Sequence, residues 1–302
     1  MAAAKGERRR LLHLVDASPY IFRAYFSLPT SITDRSGRPA NAARGFLDML
    51  SRLVRDEEPE HLLVAFDGSL TTSFRNDIYP AYKSSRELPD EELTAQLEDC
   101  YELAEAIGAM TCIDERYEAD DLVATAKARF ASAFDATVVV TADKDLTQLV
   151  DESTVFLDFA KGVRLGPDGV KERFGVRPEQ IRDFLGLAGD SVDDIPGVRG
   201  VGPKTAVALL AEFDDLDALY ADLDRVATLS IRGAKTLGPK LAEHREMAFL
   251  SRELATCATD APLDLELDSL AYHGADAARL ERLLERLGLE SRLRSVPHRS
   301  SS

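Results

Sequence analysis

The stretch Thr137-Val138-Val139-Val140-Thr141-Ala142-Asp143-Lys144-Asp145 joins a short apolar run to two aspartates. Two earlier apolar runs, Leu11 to Val15 and Leu62 to Phe66, are also followed directly by an aspartate. Apolar residues recur at helical spacing between Leu93 and Ile107 and again between Leu122 and Phe130. Short strands that alternate with helices are typical of a parallel sheet with crossover helices. The sequence therefore predicts an α/β fold with a central, mostly parallel sheet flanked by helices.

The pattern becomes all-helical after Val176. The segments Pro178 to Leu187 and Thr205 to Phe213 have helical patterns, and the stretch between them is rich in glycine and turn residues. The last few residues contain nothing to bury. We therefore predict three parts: an α/β core over residues 1–176, a helical subdomain over 177–297 and a tail over 298–302.

Composition places limits on the function. The chain has 302 residues, a net charge of −16 and three cysteines without a Cys-x-x-Cys pair, so neither a disulfide framework nor a zinc site is indicated. Its apolar runs are strand-length, and Met1 to Arg10 lacks the apolar stretch of a signal peptide. These features predict a cytoplasmic protein without a membrane span. The acidic total argues against nucleic acid as a partner, but cations outnumber acids between Arg225 and Arg245.

The aspartates after the strands are the first functional signal. The carboxyl ends of parallel strands share one edge of a sheet, so Asp16, Asp67, Asp143 and Asp145 should converge. Glu118-Ala119-Asp120-Asp121 adds acids at the start of a predicted helix. For any single residue, capping of a loop or pairing with a helix dipole is the simpler explanation. Taken together, so many carboxylates would repel one another unless cations were bound.

A site made only of oxygen ligands suits Mg²⁺ or Mn²⁺. A further acidic group, Asp190 to Asp194, lies in the turn-rich stretch of the second half, where turn formation explains an isolated aspartate. A carboxylate set this rich can hold two ions about 4 Å apart for in-line phosphoryl transfer. Hydrolysis of phosphodiesters is the reaction that this chemistry favours.

Two loops carry candidate contacts to nucleic acid. The glycine-rich stretch Gly197 to Thr205 leads into a helix, so that backbone N–H groups and Lys204 could face an anion. A tight connection between two helices explains it equally well. In the stretch Ser73 to Arg86, Lys83 and Arg86 would share a face if helical, and aromatic rings could stack on unpaired bases. A solvated basic turn is the alternative there.

In chain order, these residues resemble the motifs of the bacterial and phage 5′-nuclease (flap endonuclease) family, which includes the 5′-3′ exonuclease domain of bacterial DNA polymerase I. The resemblance extends from about Leu11 to Leu263. The matching motifs are Val15-Asp16, Phe66-Asp67, Phe74-Arg75, Tyr82-Lys83 with Arg86, Tyr117 to Asp121, Thr141 to Leu146, Gly189-Asp190 with Asp193, and Pro196-Gly197-Val198.

The resemblance implies roles for individual residues. Lys83 and Arg86 would contact the scissile phosphate beneath a helical arch near residues 71–95, and the Gly189 to Ala206 segment would bind duplex DNA and a monovalent cation such as K⁺. The implied metal ligands are Asp67, Glu118, Asp120 and Asp121 for one ion, with Asp16 acting nearby, and Asp143, Asp145, Asp190 and Asp193 for the second. The implied DNA contacts are Arg75, Tyr82, Lys83, Arg86, Arg199, Gly200, Gly202, Lys204 and Thr205.

The combined expectation is a monomeric, free-standing, structure-specific 5′-nuclease with no polymerase attached. It would act on branched, nicked or 5′-ended DNA in replication and repair, with two Mg²⁺ ions that Mn²⁺ can replace. Two places depart from the family pattern: Asp194 stands where asparagine is common, and Asn76-Asp77 replaces a common His-Glu pair.

Three other classes fit less of the sequence. A PIN-type ribonuclease shares acids at strand ends, but the helical segment after Val176 argues against it. A non-catalytic DNA-junction binder would have no use for a complete carboxylate set. A small-molecule phosphatase would carry a nucleophilic Asp-x-Asp-x-Thr pattern at the first strand, whereas Asp16 is followed by Ala17 and Ser18.

Overall fold

A computed structural model of the chain describes residues 10–69, 71–86 and 91–296. The predicted tail, 298–302, lies outside these residues, as do positions 87–90 of the arch predicted near residues 71–95. The strands are β1 (Leu11–Asp16), β2 (His61–Asp67), β3 (Met110–Asp114), β4 (Ala136–Val140), β5 (Thr154–Asp158) and β6 (Val163–Leu165). They form one six-stranded sheet in the order β3-β2-β1-β4-β5-β6. Only β6 runs antiparallel to its neighbour, which confirms the predicted mostly parallel sheet.

Helices cover both faces of the sheet. Side chains alternate across a strand, so Leu12 and Leu14 pack on one face of the sheet, whereas Val15 and Val64 pack on the other. The apolar sequence of β1 is explained because it lies between two parallel neighbours and buries both faces. The core helices are α1 (Ser18–Ser27), α2 (Asn41–Glu57), α3 (Phe74–Ile78), α4 (Glu91–Ile107) and α5 (Ala119–Phe130).

The second half contains the predicted helical subdomain. Its helices are α6 (Pro167–Phe174), α7 (Ile181–Ala188), α8 (Pro203–Leu210), α9 (Leu216–Ala221), α10 (Leu223–Val226), α11 (Ala234–Glu243) and α12 (Arg245–Ala255). They share a second apolar core, built around Leu185, Leu209 and Leu241. Helix α12 packs along α7, and α7 leads directly into the acidic loop at Asp190.

After Ala258 the chain returns to the α/β core, which differs from the predicted assignment of 177–297 to the helical subdomain. Ala261 and Leu265 pack under α5. The last helix, α13 (Ala277–Arg286), lies against α4. Its leucines at 280, 283 and 284 are buried in the core beside the sheet. These leucines are at helical spacing and form one apolar face of α13. That face is buried only when α13 packs on the folded core.

Three of the six strands were not expected from the sequence. Strand β3 lies at one edge of the sheet and exposes half of Ile113, and β6 at the other edge has three residues, so neither forms a long apolar run. Strand β5 is buried, and its sequence Thr154-Val155-Phe156-Leu157-Asp158 has the same form as β1. Within the described residues, no helix has the length and apolarity that crossing a membrane requires.

Candidate active site

Asp16 and Asp67 end two adjacent parallel strands, so their carboxylates lie at the same sheet edge. Asp16 accepts hydrogen bonds from the Thr141 hydroxyl at 2.8 Å and the Ser18 amide at 3.2 Å. Asp67 accepts bonds from the Ser18 hydroxyl at 2.5 Å and the Ala119 amide at 2.7 Å. Burial, and then the charge of the neighbouring carboxylate, raises the pKa of both aspartates above the ordinary value.

The start of α5 adds three acids. One carboxylate oxygen from each of Glu118, Asp120 and Asp121 lies within 4.8 Å of the other two. The amide of Ala119 donates to Asp67, which joins this cluster to the end of β2. Burial, followed by the charge of Asp121, raises the pKa of Asp120 well above its ordinary value. This arrangement is unfavourable for free carboxylates and favourable for a bound cation.

Lys83 and Arg86 reach the same place from the turn that follows α3. Lys83 has a left-handed φ of 54° and therefore lies in a turn, not in the helix considered from the sequence. Its ammonium contacts the Glu118 carboxylate and lies 3.8 Å from Asp193 Oδ2. Arg86 donates to Asp193 Oδ1 at 2.5 Å.

A second acidic group follows β4 and α7. Asp143 caps a short 3-10 helix, Lys144–Leu149, by accepting from the Asp145 amide at 2.9 Å. Burial, and then the charge of Asp143, raises the pKa of Asp145 to about 7. Asp145 Oδ1 is buried and accepts no hydrogen bond from any described residue. Asp190 pairs with the Lys144 ammonium.

One cavity of about 620 Å³ joins the two acidic groups. Lys83, Arg86 and Tyr82 line its wall, together with Ala255 from the end of α12. The acids that line it are Asp16, Asp67, Glu118, Asp120, Asp143, Asp145 and Asp193. Asp121 and Asp190 are not in the lining, because their side chains are turned to Arg75 and Lys144.

The chain is similar to known exonucleases and DNA polymerases over most of its length. A family model described as the 5′-3′ exonuclease N-terminal resolvase-like domain matches residues 11–175, and one described as the 5′-3′ exonuclease C-terminal SAM fold matches residues 176–278. The chain belongs to the 5′-3′ exonuclease family. DNA polymerase I of Pseudomonas aeruginosa is 45% identical over 260 residues, which are 86% of this chain and 28% of that protein. The chain spans about a third or less of the length of the curated polymerases that it matches.

Solved structures show the same family fold. The 5′-exonuclease of bacteriophage T5, described with bound divalent metal ions (zinc), superimposes with a TM-score of 0.68 at 21% identity, covering 92% of this chain and 99% of that one. The T5 flap endonuclease, described in complex with DNA and metal ions, has a TM-score of 0.68 at 21% identity over 91% of this chain and 98% of that one.

A divalent cation fits the donor set of this 5′-3′ exonuclease family member. Seven carboxylates line the cavity and its described lining contains no histidine or cysteine, and oxygen ligands of this type are those that Mg²⁺ and Mn²⁺ prefer. The buried Asp145 Oδ1 accepts no hydrogen bond among the described residues; the Lys144 ammonium lies 3.6 Å from it, and a metal cation would bind it directly. Burial raises the pKa of Asp16, Asp67, Asp120, Asp143 and Asp145, and a nearby positive charge would reverse that shift.

The structure corrects the predicted DNA contact by Arg75. The side chain is 1% exposed, and its guanidinium donates to both oxygens of Asp121, at 2.7 and 2.8 Å, and to Glu118 at 2.8 Å. It also donates to the carbonyls of Leu254 and Thr256. Arg75 therefore holds the acidic cluster in place. Asp121 is fully buried and paired with Arg75, yet it offers an oxygen within 4.8 Å of those of Glu118 and Asp120, so its role as a metal ligand stays a prediction.

Tyr82 also has a different role from the predicted DNA contact. Its ring is 4% exposed, and its hydroxyl donates to Glu118 Oε2 at 3.0 Å, so it is not placed to stack on a base. Two residues that depart from the family pattern have structural contacts. Asn76 caps α3 by accepting a hydrogen bond from the Ser73 amide at 2.8 Å. Asp194 accepts from the Ser85 amide at 2.8 Å and so ties the Lys83–Arg86 turn to the second acidic group.

The predicted duplex-binding loop lies outside the cavity lining. Arg199, Gly200, Gly202 and Lys204 are exposed and Thr205 is half-buried. Position 197 has no room for a side chain, because a Cβ there would lie 2.4 Å from the Gly189 nitrogen.

The basic segment noted between Arg225 and Arg245 lies beside this loop. The Lys240 ammonium lies next to Gly200, 2.8 Å from where a Cβ would stand. None of the cations Arg199, Lys204 and Lys240 forms an ion pair within the described part of the chain.

Sequence reasoning missed three supporting residues: Ser18, Thr141 and Gln148. Ser18 and Thr141 donate their hydroxyls to Asp67 and Asp16. Thr141 lies two residues before Asp143, so the strand-end motif itself carried the signal. Gln148 contacts a segment that lies more than 100 residues later in the sequence. Local sequence patterns cannot predict such contacts.

Proposed function

We propose that the chain is a structure-specific 5′-nuclease, a 5′-3′ exonuclease and flap endonuclease that hydrolyses DNA phosphodiesters in replication and repair. The observation that carries the proposal is the single cavity in which two acidic groups meet Lys83 and Arg86. Carboxylates alone would repel a phosphate, whereas two cations between them attract it. Work on chromosomal DNA would place the protein in the cytoplasm, where we expect it to act as a monomer.

The proposed ions are Mg²⁺, with Mn²⁺ as a substitute. Asp67, Glu118 and Asp120 would hold one ion with Asp16 nearby, and Asp143, Asp145 and Asp193 would hold the second, with Asp190 beside them. Bound divalent ions lower the pKa of a water and neutralise charge on the phosphate oxygens during in-line displacement. Asp121 would complete the first group as a further ligand beside Glu118 and Asp120, with Arg75 holding its carboxylate in place.

The cations of the cavity would bind the phosphate. The Lys83 ammonium and the Arg86 guanidinium both face acids in the present arrangement, so an incoming phosphodiester would replace a carboxylate partner of each. Lys83 would donate to an oxygen that gains negative charge in the transition state. Arg86 has a planar group that matches two phosphate oxygens at once and would orient the strand.

Duplex DNA would lie on the loop from Gly197 to Thr205. Its glycines allow a phosphate backbone to approach closely, and Arg199, Lys204 and Lys240 supply charge not used elsewhere in the described structure. We also propose that this loop binds a K⁺ ion. The relative described with DNA and metal ions, the T5 flap endonuclease, supports DNA as the partner.

The direct test uses 5′-labelled flap, nicked, blunt and single-stranded substrates, as DNA and as RNA–DNA hybrids. We expect cleavage near the 5′ end with Mg²⁺ or Mn²⁺, and no cleavage in EDTA. Ca²⁺ binds similar oxygens with looser geometry, so it should support DNA binding without cleavage. Full cleavage in EDTA would sink the metal mechanism, and tight binding without cleavage in Mg²⁺ would indicate a junction-binding protein instead.

A further inference from the structure

The chain leaving α12 is hydrogen-bonded to Arg75 and Asp121 on one side and to Gln148, three residues after Asp145, on the other. On one side, Arg75 donates to the carbonyls of Leu254, at 2.8 Å, and Thr256, at 3.1 Å, and Asp121 accepts from the amide of Ala258 at 2.7 Å. We call residues 254–258 the crossing segment. Asp121 belongs to the first acidic cluster and Arg75 is bound to it, so this side of the crossing segment is fixed to the start of α5.

On the other side the crossing segment is bound by one side chain, Gln148. Its amide nitrogen donates to the Ala255 carbonyl at 3.0 Å, and its amide oxygen accepts from the Cys257 nitrogen at 3.1 Å. The same nitrogen donates to the Asp145 carbonyl at 2.9 Å. Gln148 therefore joins the peptide that carries Asp145 to the crossing segment.

The contacts alternate along the crossing segment. Backbone groups of residues 254, 256 and 258 bond to Arg75 or Asp121, and those of residues 255 and 257 bond to Gln148. The backbone between them is covalent and cannot stretch. The backbone of the crossing segment therefore acts as a spacer of fixed length between the first acidic cluster and the peptide that carries Asp145.

We infer that Gln148 is a positioning residue that sets the distance of Asp145 from the first acidic cluster. The inference rests on the proposed two-metal nuclease. Phosphoryl transfer by two ions requires a definite spacing between them, and partners that orient metal ligands contribute 10–100-fold to metal affinity or activity. Gln148 touches neither substrate nor metal in this assignment and acts only through the Asp145 peptide.

The helical subdomain is connected to the same point. Helix α12 ends in the crossing segment, and its Ser251 hydroxyl accepts from the Gly197 amide at 3.0 Å. Gly197 begins the proposed duplex-binding loop. Helix α12 therefore links the duplex-binding loop, through Ser251, to the crossing segment that spaces the acidic groups.

The test compares Gln148→Met with Gln180→Met. Methionine keeps the volume of glutamine and removes its amide. Gln180 is the matched control because its buried amide also donates to backbone carbonyls, those of Leu210 and Asp214. Its 3-10 helix, Pro178–Gln180, packs against Lys144–Leu149, but among the described residues its amide forms no hydrogen bond with the crossing segment or with Asp145. Both variants lose comparable hydrogen bonds, so both should melt at a lower temperature than the wild type in EDTA.

The readout is Mn²⁺ binding by isothermal titration calorimetry without DNA, together with the Mg²⁺ concentration for half-maximal cleavage. For Gln148→Met we expect one ion bound as in the wild type, a second ion weakened by about tenfold or more, and a matching rise in the Mg²⁺ requirement. DNA affinity in EDTA should not change. Gln180→Met should bind both ions as the wild type does.

A Gln148→Glu variant provides a second measurement. It keeps an oxygen for the Cys257 amide but turns another oxygen towards the carbonyls of Asp145 and Ala255, so it should weaken the second ion as Gln148→Met does. Unchanged binding of both ions by the Gln148 variants would overturn the inference, as would equal losses in Gln180→Met. Failure of both Gln148 variants to fold at 25 °C would also overturn it, since the amide would then support the fold as a whole. A wild type that binds two Mn²⁺ ions but cuts no DNA would contradict the proposed nuclease and leave the Gln148 comparison intact.

Discussion

Arg75 is the largest side chain among the fully buried residues. A buried guanidinium is tolerated only when it is paired and hydrogen-bonded. Here it is matched by Asp121 and Glu118 and by two backbone carbonyls. Removing it would leave the fully buried Asp121 carboxylate without its charge partner.

The first prediction concerns this pair. Arg75→Ala should lower the free energy of unfolding by about 3–5 kcal/mol, the usual loss when one partner of a buried ion pair is removed. Urea denaturation in EDTA measures it. Arg116→Ala is the control, because Arg116 pairs with Asp77 at the exposed surface and should change stability by about 1 kcal/mol or less. Equal effects in the two variants would contradict the structural role of Arg75.

The second prediction concerns Lys83. If its ammonium stabilises the charge that develops on a phosphate oxygen, Lys83→Ala should lower the single-turnover cleavage rate on the order of 10²-fold or more. Lys83→Arg keeps the charge with a different reach and should recover only part of the rate. The control is Lys161→Ala, which removes an exposed lysine paired with Asp158. If Lys83→Ala cleaved DNA at the wild-type rate under saturating enzyme, Lys83 would have no catalytic role.

Elements, not single residues, decide which strand-end aspartates enter the site. Five strands end at or near an aspartate, but Asp114 and Asp158 cap turns, by accepting from the amides of Tyr117 and Lys161. Asp16, Asp67 and Asp143 converge because β1 is central and lies between β2 and β4. The strand pattern predicted the sheet and most of the carboxylate edge, whereas the burial of Arg75 depends on the distant Leu254 and could not be read from local sequence.

Asp143 and Asp145 contribute to the pH dependence of metal-free stability. Burial raises the pKa of Asp143, and raises that of Asp145 to about 7 from an ordinary 3.8. Between these two values the native protein binds more protons than the unfolded chain. The free energy of unfolding therefore falls as pH rises through this range, and the full loss is present above about pH 7.

The third prediction follows from that sign. In EDTA, the wild type should be less stable at pH 8 than at pH 5, and the double variant Asp143→Asn, Asp145→Asn should lose less stability over the same range. Its metal-free stability at pH 8 should equal or exceed that of the wild type, because two repelling charges are gone. Urea denaturation at both pH values measures this.

The same double variant separates metal binding from capping. Asparagine caps helices and loops well, so a capping role predicts near-normal cleavage in Mg²⁺. A metal role predicts that cleavage collapses while DNA affinity in EDTA holds or rises, since charges hostile to phosphate have been removed. Near-normal cleavage would overturn the assignment of the second ion.

At the scale of the whole molecule, net charge and local charge point in opposite directions. The chain carries −16 overall, yet Arg199, Lys204 and Lys240 stand together on the helical subdomain without ion pairs in the described structure. Phosphates are attracted by the local field of such a patch, and counterions are released when they bind. An acidic protein can therefore bind DNA through one limited surface.

The fourth prediction is a steep salt dependence. The logarithm of the DNA association constant, measured in EDTA, should fall linearly with the logarithm of salt concentration, and Lys204→Ala should reduce the magnitude of that slope by about 1. Lys161→Ala should leave the slope as in the wild type. A dissociation constant for the wild type that does not change with salt would contradict binding through this surface.

The crossing segment has a consequence for how the protein is made. A chain emerging from the ribosome contains Asp16, Asp67, Glu118 and Asp143 long before it contains Leu254 and Thr256, which supply the carbonyl partners of Arg75. Domains fold as they are synthesised, from the N-terminal side onward, so the sheet can form while its acidic edge is still unsupported. If the proposed nuclease activity holds, we expect cleavage of DNA to appear only after residue 258 has left the exit tunnel, so a shorter nascent chain would be unable to damage the genome beside it.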